Sequence, residues 1–81
     1  MKTLGNNLKD SAFGENLKLL RAERKLYQKD IAKVLGLTER YYRNYEAGTV
    51  DPPISKIIAL ADFFNVSIDF LVGRSQKRTL D

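Results

Sequence analysis

A glycine followed two residues later by a threonine, at Gly36 and Thr38, cuts the stretch QKDIAKVLGLTERYYRNYEAG (Gln28 to Gly48) into two short helices. Gly36 can take the left-handed backbone conformation that ends one helix. Thr38 can then accept a hydrogen bond from a backbone N–H and start the next. The spacing predicts helices over Gln28 to Leu35 and over Glu39 to Ala47, the second lasting only two or three turns before Gly48.

On a wheel of about 100° per residue, the second of these helices has two faces. Tyr41, Tyr42 and Tyr45 cluster on one side, so Tyr42 and Tyr45 are expected to pack inward with their hydroxyls at the rim, while Tyr41 sits at the edge. Glu39, Arg40, Arg43, Asn44 and Ala47 fall on the other side. Such a helix is short for a hydrophobic core and long enough for a major groove. The outward residue types also match base edges: Arg pairs with guanine O6 and N7, Asn with adenine N6 and N7, and Glu accepts from cytosine N4. A solvated polar face would look the same by periodicity alone, so the rest of the chain has to separate the two readings.

Eighty-one residues suffice for one small domain, which buries only about 60% of its unfolded surface. With no Cys, the fold must rest on apolar packing, and 43% apolar residues are enough for a core. That composition, with no apolar run near the roughly 20 residues a bilayer span needs and no apolar stretch behind Met1 to Leu4, predicts a cytoplasmic protein with no membrane partner. The absence of His as well as Cys removes the commonest general bases, thiol nucleophiles and zinc ligands. No phosphate-cradling glycine motif is present. The chain therefore reads as no enzyme, without metal or cofactor. The net charge of +4 favours a polyanion, and Lys25, Lys29, Lys33, Arg40 and Arg43 gather in or just before the two-helix unit. Binding to such a partner is expected to be sensitive to salt.

Along the chain, residues 1–10 read as a flexible arm, 11–73 as the domain, and 74–81 as a disordered tail or linker. Asp10 or Ser11 is expected to cap a first helix running to about Arg24, with Leu17 and Leu20 inward. Ile31, Ala32 and Leu35 should be buried on the second helix. Pro52 and Pro53 exclude helix before Ile54. A fourth helix, Ile54 to about Phe64, is expected to bury Ile54, Ile57, Ile58, Leu60, Ala61 and Phe64. Asn65 is a left-handed stop, and Ser67 caps a fifth helix, Ile68 to Val72, ended by Gly73. No β-alternation occurs, so the fold class is all-α: a compact bundle of five helices with a central helix-turn-helix.

From Phe13 to Gly73 the segments FGENLKLLRAERK, YQKDIAKVLGLTERYYRNYEAG and ALADFFNVSIDFLVG closely resemble the Cro/lambda-repressor-like helix-turn-helix regulators, the XRE family. The resemblance implies a domain that docks as a homodimer on a palindromic operator in double-stranded DNA, usually to repress transcription. It places base contacts on Glu39, Arg40 and Asn44, and Arg43 near a base or a phosphate. Gln28, at the start of the second helix, matches a phosphate-binding position, and Lys29, Lys33, Thr38, Tyr41 and Thr49 complete the expected phosphate set. An ion pair between Arg21 and Glu46 is also implied, with the task of fixing the angle of the recognition helix.

Three positions depart from the family pattern. Tyr27 stands where Thr or Ser usually caps the second helix. Lys25 stands where Gly is common and calls for a left-handed backbone. Asp51 occupies a loop that often offers Lys or Arg to phosphates. The fifth helix, with Ile68, Phe70 and Leu71, is more apolar than its length needs and supplies a possible dimer face. Two competing readings keep the fold: an antitoxin or adaptor whose main partner is another protein, and a fragment of a longer regulator joined through residues 74–81.

Overall fold

Helix ends follow the punctuation read from the sequence. The protein is described here by a computed structural model covering residues 12–79. It contains α1 (Phe13–Glu23), α2 (Gln28–Leu35), α3 (Glu39–Ala47), α4 (Ile54–Phe64) and α5 (Ile68–Leu71), with no strand among the described residues. The expected caps Asp10 and Ser11, and the arm at residues 1–10, lie outside the described residues.

Tyr27 gives α2 no side-chain cap, but the Asp30 carboxylate accepts the Tyr27 backbone N–H at 2.8 Å and anchors the first turn from inside. Gly36 closes α2 at φ 70°, ψ 27°. Thr38 Oγ1 accepts the Tyr41 N–H at 3.0 Å to open α3, and Asn65, at φ 56°, ends α4. The α1–α2 turn needs Lys25 at φ 57°. A non-glycine residue there costs on the order of 1–2 kcal/mol, and the returning Leu26 N–H, bonded to the Arg21 carbonyl at 3.1 Å, holds the turn closed.

The core draws on all five helices, and on α1 and α2 it holds the residues expected from their spacing. Two expectations need correction. On α4 the inward row is Ile57, Leu60, Ala61 and Phe64, whereas Ile54 and Ile58 are 62% and 44% exposed. Residues 54 and 58 share a face one turn apart, and that face points away from the bundle. On α5, Phe70 and Leu71 are 8% and 0% exposed, so neither offers a dimer surface. A four-residue helix packed against α1 and α4 has to commit both to closing the core, and only Ile68 of the three remains outside. Asn16 of α1 completes this junction by donating from Nδ2 to the Phe70 carbonyl at 2.8 Å.

Residues 74–79 also differ from the expected disorder. They fold back so that the Ser67 N–H donates to the Arg78 carbonyl and Ser67 Oγ donates to the Lys77 carbonyl at 3.2 Å. The Arg78 guanidinium pairs with both Glu23 oxygens at 2.8 and 2.6 Å and stacks 5.1 Å above the Phe70 ring. These contacts are made by backbone groups and one long cation, so no apolar pattern announces them. Ser67 is the hinge of the arrangement, because Oγ also accepts the Phe70 N–H at 3.0 Å. Ser67→Ala is expected to lower stability by about 1–2 kcal/mol, the usual cost of a lost N-cap. Urea denaturation measures it, and an unchanged midpoint would show that the cap carries no weight.

Candidate nucleic-acid interface

Helix α3 stands on its tyrosines. Tyr42 and Tyr45 are fully enclosed, and Tyr41 lies at the edge with its ring 5.9 Å from that of Tyr45 in a T-shaped contact. The Tyr42 hydroxyl is not at the rim as expected. It is buried beside the Glu46 carboxylate, and burial, followed by that neighbour, pushes its pKa well above the ordinary phenol value. On the opposite side Arg40, Arg43 and Ala47 are exposed, and Glu39 and Asn44 are partly so. The two faces read from the wheel are the two faces of the helix.

A continuous set of hydrogen bonds runs from the core to this outer face. Glu46 is buried, only 4% exposed. Arg21 grips it through Nε to Oε2 at 2.8 Å and Nη2 to Oε1 at 3.1 Å, while Nη1 donates to the Leu26 carbonyl at 3.0 Å. Burial alone would raise the Glu46 pKa. The hydrogen bonds from Arg21 and Gln28, with the Tyr42 phenol beside them, outweigh it and hold the carboxyl below its ordinary value. Gln28 Nε2 donates to the same Glu46 Oε1 at 3.0 Å, and Gln28 Oε1 accepts from Arg43 Nε at 3.1 Å. Arg43 Nη2 then reaches Glu39 Oε2 at 3.0 Å. The expected Arg21–Glu46 pair is thus present, and it is the root of a chain that ends at Glu39.

The other expected residues stand apart from this chain. Arg40 is exposed and has no partner among the described residues, and it shares its side of α3 with Arg43 and Asn44 at helical spacings of three and four. The Asn44 Oδ1 lies 3.2 Å from Thr49 Oγ1, so the loop after α3 is tied to the helix rather than held ready by a cation. Thr38 Oγ1 accepts the cap hydrogen bond and keeps its O–H to donate. Lys29 and Lys33 are exposed one turn apart on α2, with the Lys29 ammonium 5.6 Å above the Tyr27 ring. The Glu39–Arg43 pair was readable from its i, i+4 spacing. The Gln28 bridge had no sequence signal, because it joins residues 15 and 18 positions apart on different helices. Among the described residues no acidic cluster could hold a metal, and no helix is long and apolar enough to cross a membrane.

The helix-turn-helix family profile matches residues 17–71. The chain belongs to the helix-turn-helix family. It is 37% identical over 67 residues to the HTH-type transcriptional regulator YqaE of Bacillus subtilis, covering 82% of this chain and 58% of that protein. It is 36% identical over 64 residues to the cryptic phage CTXphi transcriptional repressor RstR of Vibrio cholerae, covering 79% and 58%. The chain thus spans a little over half the length of these curated relatives. Among solved structures, a transcriptional regulator from Listeria innocua superposes with a TM-score of 0.74 at 40% identity, covering 85% of this chain and 64% of that one. The SOS-response transcriptional repressor LexA from Eubacterium rectale also gives 0.74, at 28% identity, covering 98% and 80%. The all-α helix-turn-helix architecture and the family expected from the sequence both stand, and these relatives are named as transcriptional regulators or repressors.

Proposed function

We propose that this chain is the sequence-reading part of a transcriptional repressor, acting as a homodimer on a palindromic operator in the cytoplasm. Helix α3 enters the major groove, with Arg40 and Asn44 toward base edges and Glu39 and Arg43 beside them. Lys29, Lys33, Thr38, Tyr41 and Thr49 meet phosphates along the rim. The observation that carries this reading is Arg40: a guanidinium with no partner among the described residues, on a helix face that the tyrosines hold away from the core. An unpaired cation in that position suits a guanine edge. The RstR and LexA names, both of repressors, favour repression over activation. A single α3 reads only a few base pairs, which favours a twofold pair with recognition helices about 34 Å apart.

Selection of bound sequences from a random duplex library, at stated salt, tests it. The wild type is expected to enrich a palindrome. Arg40→Ala is expected to lose about 1–3 kcal/mol of affinity and relax preference at one base position per half-site. Lys33→Ala should weaken all sequences alike and reduce the salt slope by about 1. A wild-type protein that enriches nothing, or an Arg40→Ala profile identical to it, would remove the proposal.

A further inference from the structure

The bridge between the buried ion pair and the outer face of α3 assigns Gln28 a role distinct from holding a phosphate. We infer that Gln28 is a positioning residue for base reading: it fixes the guanidinium of Arg43, and so determines sequence preference at the base pair Arg43 meets. The inference rests on the proposal that α3 reads DNA.

The argument begins with the chemistry of one amide. Glu46 is buried and ionised, so both its oxygens only accept. Any group placed against Oε1 from the α2 side must donate, which turns the Gln28 NH2 inward, where it lies 3.0 Å from that oxygen. The carbonyl end must then point outward, where Arg43 Nε, a donor, stands at 3.1 Å. The flipped amide would set oxygen against carboxylate and N–H against N–H, so the orientation is dictated from both ends. Because Glu46 is itself gripped twice by Arg21, the outward oxygen of Gln28 is a fixed point on the protein surface.

That fixed point acts on a side chain that would otherwise wander. Arg43 is 58% exposed, and a long cation at such a position samples many rotamers. Here Nε is held by Gln28 and Nη2 by Glu39. Of the five N–H donors of a guanidinium, two are used, and three remain on the outer edge for a base. A guanidinium aimed in advance loses less entropy when it meets guanine O6 and N7 than one that must be caught.

The test is library selection with the wild type, Gln28→Met, Arg43→Ala and the double variant, with thermal unfolding followed by circular dichroism. Gln28→Met keeps the length and removes both hydrogen bonds. Arg43→Ala is expected to erase preference at one base position per half-site, and Gln28→Met to reduce it at that same position by roughly tenfold while other positions keep theirs. In the Arg43→Ala background, Gln28→Met should change preference nowhere. A wild type that enriches nothing defeats the DNA-reading proposal and this inference with it. A wild type that enriches a site, with Gln28→Met weakening all sequences equally and shallowing the salt slope, overturns the inference alone and makes Gln28 a phosphate ligand. So does an Arg43→Ala profile matching wild type. One measurement needs no variant: in the free protein the Arg43 Nε–H should exchange with water more slowly than the Arg40 Nε–H, and equal exchange would defeat the positioning role.

Discussion

Replacing Gly14 with Ala is expected to destabilise the protein by about 2–3 kcal/mol, against the usual direction of that substitution. Inside a helix, glycine to alanine normally gains about 1 kcal/mol from backbone entropy. Gly14 lies in the first turn of α1, where the helix passes directly over the end of α3. A Cβ there would press into the carbonyl oxygen of Glu46 and sit 3.0 Å from both the Glu46 carbonyl carbon and the Tyr45 carbonyl oxygen. Those atoms are backbone, so no rotamer change clears them, and one helix must move relative to the other. The movement falls on the residue whose side chain roots the hydrogen-bond chain to Arg43. DNA selectivity should therefore decline together with stability. In a domain of this size each lost kcal/mol lowers the melting temperature by about 4–8 °C, so a drop of roughly 10–20 °C is expected in a thermal melt. A variant that melts at or above the wild-type temperature would show that α1 and α3 can separate without penalty.

This close approach marks the limit of what the chain discloses on its own. The boundaries of α2, α3 and α4 were legible because each depends on local chemistry: a left-handed residue at Gly36, Gly48 or Asn65, a capping oxygen at Thr38, a proline before Ile54. The two sides of α3 were legible because its tyrosines leave only one way to turn it. The inward side of α4 was not, since six apolar residues among its first eight positions leave the direction of the core to the neighbours, and Ile54 and Ile58 proved to face outward. Phe70 and Leu71 looked surplus on so short a helix for the opposite reason: the gap they fill is defined by α1 and α4, not by α5. Residues 74–79 hold on through main-chain groups and Arg78, which carry no periodicity. The same holds for the candidate interface. Arg40, Arg43 and Asn44 follow from spacing, whereas Gln28 owes its orientation to a carboxylate that reaches it only through the tertiary fold.

Arg21→Met should cost about 3 kcal/mol at neutral pH, and its dependence on pH should run opposite to that of the wild type. In the wild type the Glu46 carboxyl titrates below its ordinary value near 4.5. Its contribution to stability is therefore complete above that value and is lost as pH falls through the lower folded pKa. Without Arg21, burial dominates and raises the folded pKa above the unfolded one. The contribution is then greatest at low pH and is lost as pH rises, so the gap between variant and wild type should narrow on acidification. Glu46→Gln should cost less, because Arg21 is 23% exposed and can reach water when its partner is neutral, whereas Glu46 cannot. Denaturant titrations of the three proteins between about pH 4 and 7 check both statements, and parallel profiles would refute them. The double change Arg21→Met with Glu46→Leu separates packing from recognition. Two apolar side chains in place of the pair should recover most of the stability. They offer the Gln28 amide no acceptor, so preference at the base met by Arg43 is expected to stay lost.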